Sequence, residues 1–292
     1  MLYNRYIGGI IMTHLLYYYF FMDAVQKIQP KYYNLIADTI DKAYLYTNMV
    51  EITAYYDLLS INKNKNYQIY ERLKKTKIHE SLDHLKQETI SNQYDAYHLL
   101  FLLTYISHKV FDNYLTSFTT LTENPFMHLN YLEQFIYQHK TKKTYHKFNQ
   151  IIFFKESLTL TEKDEKIINN WLSKVYSFSL GIKHIKISLK KFKTIKQKYL
   201  KDSLGLKKIY LNTLGKIKKD ERLKYFLTKP KNTNDLLNEK HQKWLYQGSV
   251  EKDLDFLSMY EEAILEAINI MNLICDEIFY NKQIKKGLAK LF

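Results

Sequence analysis

The sequence between Tyr94 and Leu115, YDAYHLLFLLTYISHKVFDNYL, is the most hydrophobic stretch in the interior of the chain. It contains no glycine or proline that would interrupt a helix. An apolar helix of this length has to be covered by other elements of the fold. The stretch therefore predicts a helix at the centre of the protein, in a segment that ends at Pro125.

The composition of the whole chain also favours helices. Its 292 residues include only 7 glycines and 3 prolines, too few for a turn-rich sandwich or barrel. We predict an all-α fold, a multi-helix bundle of roughly eight to ten helices. Residues 1–90 then form an N-terminal helical region and residues 91–292 a second helical domain, with one continuous domain as the alternative.

The N-terminus raises the question of a membrane anchor. The run Tyr6–Met22, YIGGIIMTHLLYYYFFM, is uncharged and follows Arg5. Its length of about 17 residues is at the lower limit for crossing a bilayer, and it includes His14 and several tyrosines. We expect a buried first helix without membrane contact, with a weakly inserted anchor as the alternative.

The single cysteine, Cys275, excludes an internal disulfide. It lies at helical spacing from Met271 and Ile278, which predicts a buried structural thiol rather than a nucleophile. This cysteine usage fits a reducing compartment, so we expect a cytoplasmic protein.

Two further helices have recognisable signals at their starts. In TEKDEK, Thr161–Lys166, the threonine is the expected N-cap and acids fill the first turn, from which a long helix is predicted to reach about Lys201. Gly248 and Ser249 are predicted to supply a stop and a cap before the last helix, Leu254–Phe279. In that helix a seven-residue repeat predicts a core-facing stripe of Leu257, Ile264, Met271 and Ile278.

The net charge of +14 comes from one segment. Residues 183–231 contain 16 lysines and Arg222 against three acidic residues, a net charge of +14, and the rest of the chain is balanced. Such a positive field attracts RNA, DNA, an anionic membrane surface or an acidic protein. With 41 lysines and 3 arginines, the chain has few of the bidentate contacts that read bases. Codon bias in an AT-rich genome is the alternative origin of the lysines.

Several enzyme classes are excluded by motifs that the sequence lacks. There is no GxxxxGK[ST] or GxGxxG phosphate loop, no HExxH, no GxSxG and no cysteine cluster. The Glu-x-x-His spacing of helical di-metal sites is missing as well. We predict no metal site and no cofactor, and interpret as solvated pairs three sets of residues at i,i+4 spacing: His79/Asp83, Glu80/His84 and His108/Asp112.

Three segments between about Tyr94 and Tyr280 follow one another in a known order. The apolar helix YDAYHLLFLLTYISHKVF comes first, then WLSKVYSFSLGIKH, Trp171–His184, and finally LDFLSMYEEAILEAINIMNLICDEI, Leu254–Ile278. In this order the chain resembles the HEPN superfamily of helical domains. The resemblance implies a HEPN-like domain in residues 91–292. Active members of that superfamily carry Arg-x4–6-His on the second of these helices and act as dimeric, metal-independent ribonucleases.

The resemblance assigns His184 to the histidine of that motif and puts Ser179 where the arginine belongs. Serine cannot supply a delocalised cation to a phosphate, so this copy is expected to be inactive as a nuclease. An ordinary surface or half-buried helix position is the alternative for His184. A literal Arg-x6-His occurs at Arg72 and His79. The catalytic candidates are therefore His184, Arg72 and His79.

We expect a non-catalytic helical protein that contacts the RNA or DNA backbone through a lysine-rich face, in a defence or nucleoprotein assembly. A metal-independent HEPN-type ribonuclease is the first alternative, and a helical scaffold or protein-interaction module is the second. The resemblance also implies a homodimer. The side chains expected at the nucleic acid are Lys183, Lys186, Lys190, Lys193, Lys198, Lys201, Lys207, Lys208, Lys218 and Lys219.

Overall fold

The structure, a computed structural model, describes residues 14–49, 78–122, 125–142, 160–176, 186–190, 213 and 235–280. These residues confirm the all-α multi-helix bundle, since helices account for most of them and the only sheet among them is a small hairpin. The α-helices assigned within these ranges are α1 (His14–Val25), α2 (Pro30–Ile36), α3 (Ala43–Thr47), α4 (Ile78–Ser91), α5 (Ala96–Phe118), α6 (Pro125–Thr141), α7 (Glu162–Tyr176) and α8 (Phe256–Tyr280). The shorter elements are two 3-10 helices, Ala37–Lys42 and Thr119–Leu121, and the strands β1 (Trp244–Tyr246) and β2 (Val250–Lys252).

Helix α5 lies at the centre of the bundle, as the sequence predicts. Every residue from Leu99 to Phe111 is buried, and the helix packs against α1, α3, α4 and α8. At its start Asp95 caps the helix by accepting a hydrogen bond from the His98 backbone N–H at 3.4 Å. A helix that is buried on all sides can carry an apolar residue at nearly every position, which is why the most hydrophobic stretch occupies this place.

Helix α1 covers one side of α5 and confirms the expectation of a buried first helix for residues 14–25. Phe20 stacks on Phe111 with ring centroids 4.0 Å apart, and Phe21 is fully buried. Burying a side chain of this size contributes about 1.5–3 kcal/mol. None of the helices in the described ranges has the length and apolar character needed to cross a bilayer.

The hairpin is an element that the sequence analysis missed. Its strands pair antiparallel, with Trp244 opposite Lys252. Gly248 lies in the connecting loop with φ 74°, a left-handed conformation that glycine adopts without strain. The prediction that Gly248 and Ser249 stop and cap the last helix is therefore wrong, because they form the turn. Strands of three residues are too short to show an alternating pattern in the sequence.

The last helix, α8, is capped by Asp255, whose carboxylate accepts a hydrogen bond from the Ser258 backbone N–H at 2.7 Å. The predicted core-facing stripe is wrong for Leu257, which is 37% exposed, and Phe256 takes the buried position beside it. The other members of the stripe are buried as predicted: Ile264, Met271 and Ile278.

Cys275 is buried in α8, as expected. Burial raises the pKa of its thiol to about 12. The thiol therefore stays protonated at neutral pH, and the nucleophilic thiolate is not formed.

The predicted N-cap of α7 is also confirmed. The Thr161 hydroxyl accepts a hydrogen bond from the Asp164 N–H at 3.2 Å, and the Asp164 carboxylate accepts one from the Thr161 N–H at 2.8 Å. These reciprocal bonds form a capping box, which satisfies donors that the first turn leaves unpaired. Residues 186–190 are helical, and the rest of the predicted continuation to Lys201 lies outside the described residues.

One hydrophobic cluster contains residues from both sides of the predicted domain boundary at residue 90. Leu16 and Tyr44 come from the N-terminal region, and Phe101 and Met271 come from the C-terminal one. The division into two domains at residue 90 stays a prediction. The described residues on both sides of this boundary contribute to the same hydrophobic cluster.

His108 is buried, so the interpretation of the His108/Asp112 pair as solvated is wrong. It is 4% exposed and stacks on Tyr17 with ring centroids 4.2 Å apart. Its Nδ1–H donates to the Thr47 carbonyl oxygen at 3.1 Å. The reason is its position in the central helix, where α1 and α3 cover the face that it shares with Asp112.

His128 in α6 is a second buried histidine. Its Nε2–H donates to the Leu236 carbonyl oxygen at 2.5 Å, which attaches α6 to the segment before the hairpin. Burial lowers the pKa of the imidazoles of both His108 and His128 to about 4. The hydrogen bonds to backbone carbonyls oppose this shift without overcoming it.

We expect the free energy of unfolding to fall as the pH drops from 6.5 to 5. The unfolded chain binds protons at His108 and His128 in this range, because their ordinary pKa is 6.5, whereas the folded protein keeps both neutral. The stability that they contribute is complete above pH 6.5 and is lost toward the folded pKa. Each histidine should remove about 2 kcal/mol by pH 5. Urea denaturation at a series of pH values measures this slope.

Two variants separate the buried histidines from other titrating groups. His128→Gln keeps a donor for the Leu236 carbonyl but cannot titrate, so its loss of stability between pH 6.5 and 5 should be smaller than that of the parent protein. His139→Gln changes an exposed histidine of the same helix and should keep the parent slope. Equal slopes for all three proteins would show that burial of His128 does not control the pH dependence.

Candidate functional site

The structure places three of the predicted site residues: His79, Lys186 and Lys190. His79 is exposed in the first turn of α4. The His184 motif and the Arg72/His79 pair stay predictions, because their other members lie outside the described residues. Those members, with the remaining lysines, are Arg72, Ser179, His184, Lys183, Lys193, Lys198, Lys201, Lys207, Lys208, Lys218 and Lys219.

Residues 186–190 belong to the basic segment, residues 183–231, and are helical. Lys186 and Lys190 are exposed at i,i+4 spacing, whereas Ser188 and Leu189 are buried. One side of this short helix therefore lies on the core, and the two lysines lie on its outer side.

Glu165, in the first turn of α7, holds this helix in place. Its side chain is 4% exposed, and its Oε1 lies 2.8 Å from the Nζ of Lys186, whose side chain is 60% exposed. The two groups do not have the orientation of a hydrogen bond, so the contact is an electrostatic one. Lys186 thus attaches the basic segment to the core, in addition to its predicted contact with nucleic acid.

Asp164, beside Glu165, connects the start of α7 with the N-terminal helices. Its buried carboxylate accepts a hydrogen bond from the Tyr46 hydroxyl at 2.6 Å and lies 3.2 Å from the Nζ of Lys42. Hydrogen bonds to charged groups contribute about 1.5–3 kcal/mol each. Burial, together with the bond to Asp164, raises the pKa of the Tyr46 hydroxyl well above its ordinary value. Tyr46 therefore stays a hydrogen-bond donor, and the position of α7 is fixed.

A small cleft lies between α4, α5 and α7. Its polar side chains are His84, Glu88 and His98, and its remaining walls are apolar or aromatic. The volume of the cleft is about 10 Å³, which is the space of a single water molecule.

His98 is oriented within this cleft by a carboxylate. Its Nδ1–H donates to Asp95 Oδ2 at 2.9 Å, and Asp95 Oδ1 lies 2.5 Å from the Nζ of Lys163. Burial opposes ionisation of Asp95, but the hydrogen bonds from Lys163 and His98 outweigh it and lower the pKa of the carboxyl group. Because Nδ1 is bound to Asp95, Nε2 is the ring nitrogen left for other partners.

His84 lines the same cleft from α4. Its Nε2 is buried and has no hydrogen-bond partner among the described residues. Burial lowers the pKa of its imidazole; Glu88, one turn later, opposes this shift and Lys174 adds to it. At pH 7 His84 is therefore neutral and can accept a proton.

Two imidazoles in different settings beside one cleft are suited to general acid–base chemistry. Burial lowers the pKa of His84, and His98 is oriented by its hydrogen bond to the Asp95 carboxylate, so two differently held imidazoles are available for proton transfer. Metal chemistry has less support. In the part of the chain that the structure describes, no three histidine, cysteine or carboxylate side chains come close enough together to hold a metal ion.

Sequence reasoning missed His84 and His98 as a pair. Two local signals were present: the Asp95-x-x-His98 spacing of a helix start, and the i,i+4 spacing of His84 and Glu88. Neither spacing shows that the rings meet. Their common cleft depends on the packing of α7 across both α4 and α5, which is tertiary information.

Comparisons of the chain with protein-family models, with curated proteins and with solved structures find no match. The HEPN resemblance stays a prediction.

We expect Lys186→Met to lower the free energy of unfolding by about 1–3 kcal/mol, because it leaves the Glu165 carboxylate buried without its cation. Lys166→Met is the matched control, since Lys166 is an exposed neighbour of Glu165 on α7; a surface change of this kind shifts stability by less than about 0.5 kcal/mol. Urea denaturation at pH 7 measures both.

A double variant tests whether the effect belongs to the pair. Glu165→Gln combined with Lys186→Met removes both charges, so it should be more stable than the sum of the two single changes predicts. Strict additivity, or a Lys186→Met effect no larger than that of Lys166→Met, would show that the ion pair does not anchor the basic segment.

Proposed function

We propose that this protein binds the phosphate backbone of RNA or DNA through the basic segment, residues 183–231, without catalysis and as part of a defence or nucleoprotein assembly. The observation that carries the proposal is the segregation of charge. The basic segment has a net charge of +14, and the other residues contain 27 basic and 27 acidic side chains. Charge that served only solubility would have no reason to collect in one segment, whereas a polyanion is attracted by a concentrated field.

The described helix within this segment supports the proposal. Lys186 and Lys190 are exposed on its outer side, and Leu189 is buried against the core. Lysines placed in this way are accessible to a phosphate backbone. Their helix is attached through Glu165, so it presents them from a defined position.

The choice of lysine over arginine indicates the mode of binding. Lysine acts as a point charge toward phosphate, whereas arginine makes the bidentate contacts that distinguish bases. With Arg222 as the only arginine in the basic segment, we expect contacts that tolerate any sequence. The HEPN-like order of helices belongs to this proposal as the scaffold of the binding surface.

Salt dependence of RNA binding is the test. Binding of a labelled single-stranded RNA should weaken with increasing salt, with a slope of log K against log[salt] of about −0.7 for each phosphate contact. Replacing Lys190, Lys193 and Lys198 by glutamine should reduce the magnitude of this slope by up to about 2. Fluorescence anisotropy at four or more salt concentrations measures the slope.

A matched triple variant controls for total charge. Glutamine at Lys27, Lys142 and Lys240, exposed lysines outside the basic segment, removes the same charge and should leave the slope nearly unchanged. If both triple variants change the slope equally, binding is a property of net charge and not of the basic segment. If the parent protein does not bind even at low salt, the proposal fails and a role as a protein scaffold is favoured.

The cleft favours a second candidate function, a metal-independent ribonuclease. The observation is the pair of imidazoles at one cleft, with His98 held by Asp95 at 2.9 Å. Cleavage of RNA needs a base to remove a proton and an acid to supply one, and two histidines can fill these roles without a metal ion.

For this candidate we expect cleavage of RNA to persist in EDTA and to be lost in His98→Gln, which keeps a polar side chain of similar size but cannot transfer protons in this way. A loss of at least about 100-fold is expected for a general acid or base. His139→Gln, at an exposed histidine, is the control. Denaturing gels give the rates.

Parallel variants distinguish this site from the predicted motifs. The reaction belongs to the His184 motif if His184→Ala abolishes cleavage while His98→Gln stays fully active. It belongs to the Arg72/His79 pair if Arg72→Ala and His79→Ala each abolish cleavage while His98→Gln stays fully active. If the protein binds RNA in EDTA without cleaving it, the ribonuclease candidate fails and the non-catalytic binding function remains.

A further inference from the structure

Two residues that line the cleft between α4, α5 and α7, Trp171 and His84, each have a buried polar atom without a hydrogen-bond partner in the described part of the chain. Trp171 is 1% exposed, and its Nε1–H has no hydrogen-bond partner within the described ranges. The Nε2 of His84 is buried and unpaired in the same way, and both residues line the cleft. A buried donor or acceptor without a partner costs about 1–3 kcal/mol, so two of them at one place need a physical explanation.

Aromatic packing keeps the Trp171 indole where it is. Phe101, Tyr105 and Tyr176 contact it edge to face, with ring centroids at 5.4, 6.0 and 5.3 Å. Contacts with three rings hold the indole in this orientation. In this orientation its N–H has no acceptor among the described residues, and a group in the cleft would supply one.

The size and charge of the cleft restrict that group. A volume of about 10 Å³ inside the cleft has room for one oxygen-sized molecule. The surrounding charges are mixed, with Lys174 and Lys163 acting on His84 and Asp95 and Glu88 at the edge of the cleft. This setting does not favour an anion or a cation, and a neutral molecule that both donates and accepts hydrogen bonds fits it.

We propose that the cleft is a binding site for one water molecule that bridges Trp171 and His84. The water oxygen accepts the Trp171 Nε1–H, and one of its hydrogens is donated to His84 Nε2. Buried waters have two to four polar partners, and Glu88 and His98, which line the same cleft, are the further groups within it. The water thus joins α7 to α4 and satisfies two atoms that the protein alone leaves unpaired.

The site has a chemical consequence. A water held by a neutral imidazole is in the arrangement from which a proton can be removed, and the carboxylate-bound His98 lies at the same cleft. Any acid–base chemistry of this cleft would therefore use this water. The binding of the water does not depend on the proposed binding of nucleic acid, and it is tested separately.

Nuclear magnetic resonance of the full-length, 15N-labelled protein tests the proposal. The chain has two tryptophans, so two indole N–H signals are expected, and Trp244→Phe assigns them. The Trp171 signal should show a direct cross-relaxation peak to water, distinguished from proton exchange by its sign in the rotating frame. The Trp244 indole is an internal control, because its Nε1–H donates to the Leu254 carbonyl oxygen at 3.3 Å and should show no such peak.

Variants of His84 test the bridge itself. His84→Leu removes one of the two partners and should abolish the water peak at Trp171, whereas His84→Gln keeps a hydrogen-bonding group and should retain it. Gln87→Leu, at an exposed position of α4, is the control for an added leucine and should leave the peak unchanged. The absence of a water peak at Trp171 in the parent protein overturns the proposal. A peak that persists unchanged in His84→Leu overturns the bridge.

Discussion

Burial of α5 on all sides is the constraint on which the rest of this structure depends. A helix with thirteen consecutive buried positions, Leu99–Phe111, has to be enclosed completely, and α1, α3, α4 and α8 each place a face against it. Burial at every position also takes polar side chains inside, where each needs a partner. Toward its C-terminal end, the Tyr114 hydroxyl lies 3.0 and 2.8 Å from carboxylate oxygens of Glu262 and Glu266 of α8 and donates its single hydrogen to this pair. The same helix that organises the apolar core therefore also decides where buried polar contacts must form.

The features that the sequence predicted correctly are those that local residues determine. The apolar run of α5 and the cap at Thr161 depend on neighbours in the chain, and burial of Cys275 follows from the helical spacing around it. The features that were missed depend on packing. Gly248 lies in the turn of a hairpin whose first strand packs on α5, and His108 is enclosed by α1 and α3 rather than solvated. The meeting of His84 and His98 is of the same kind, since the two histidines lie on separate helices with no regular spacing between them.

Helix α7 joins the two parts of the candidate functional surface. Its first turn contains Asp164, which is fixed by Tyr46, and Glu165, which holds Lys186. Its middle contains Trp171, which lines the cleft. Because one rigid helix carries these contacts, a shift at its first turn would move both the described start of the basic segment and the wall of the cleft. The capping box at Thr161 therefore helps to position both, although it lies outside the cleft itself.

The charge distribution bears on which partner the proposed binding would favour. The seventeen cations among the 49 residues of the basic segment repel one another. The rest of the chain has equal numbers of basic and acidic residues, so it has no net negative charge to offset this repulsion. Glu165 is a single carboxylate, and its ion pair is with Lys186. A polyanion relieves the repulsion along its length and gains entropy by releasing its own counterions. A small anion or an isolated acidic side chain offers only one such contact, so the gain on binding increases with the length of the partner. This favours an extended phosphate backbone over compact ligands, whatever the sequence of its bases.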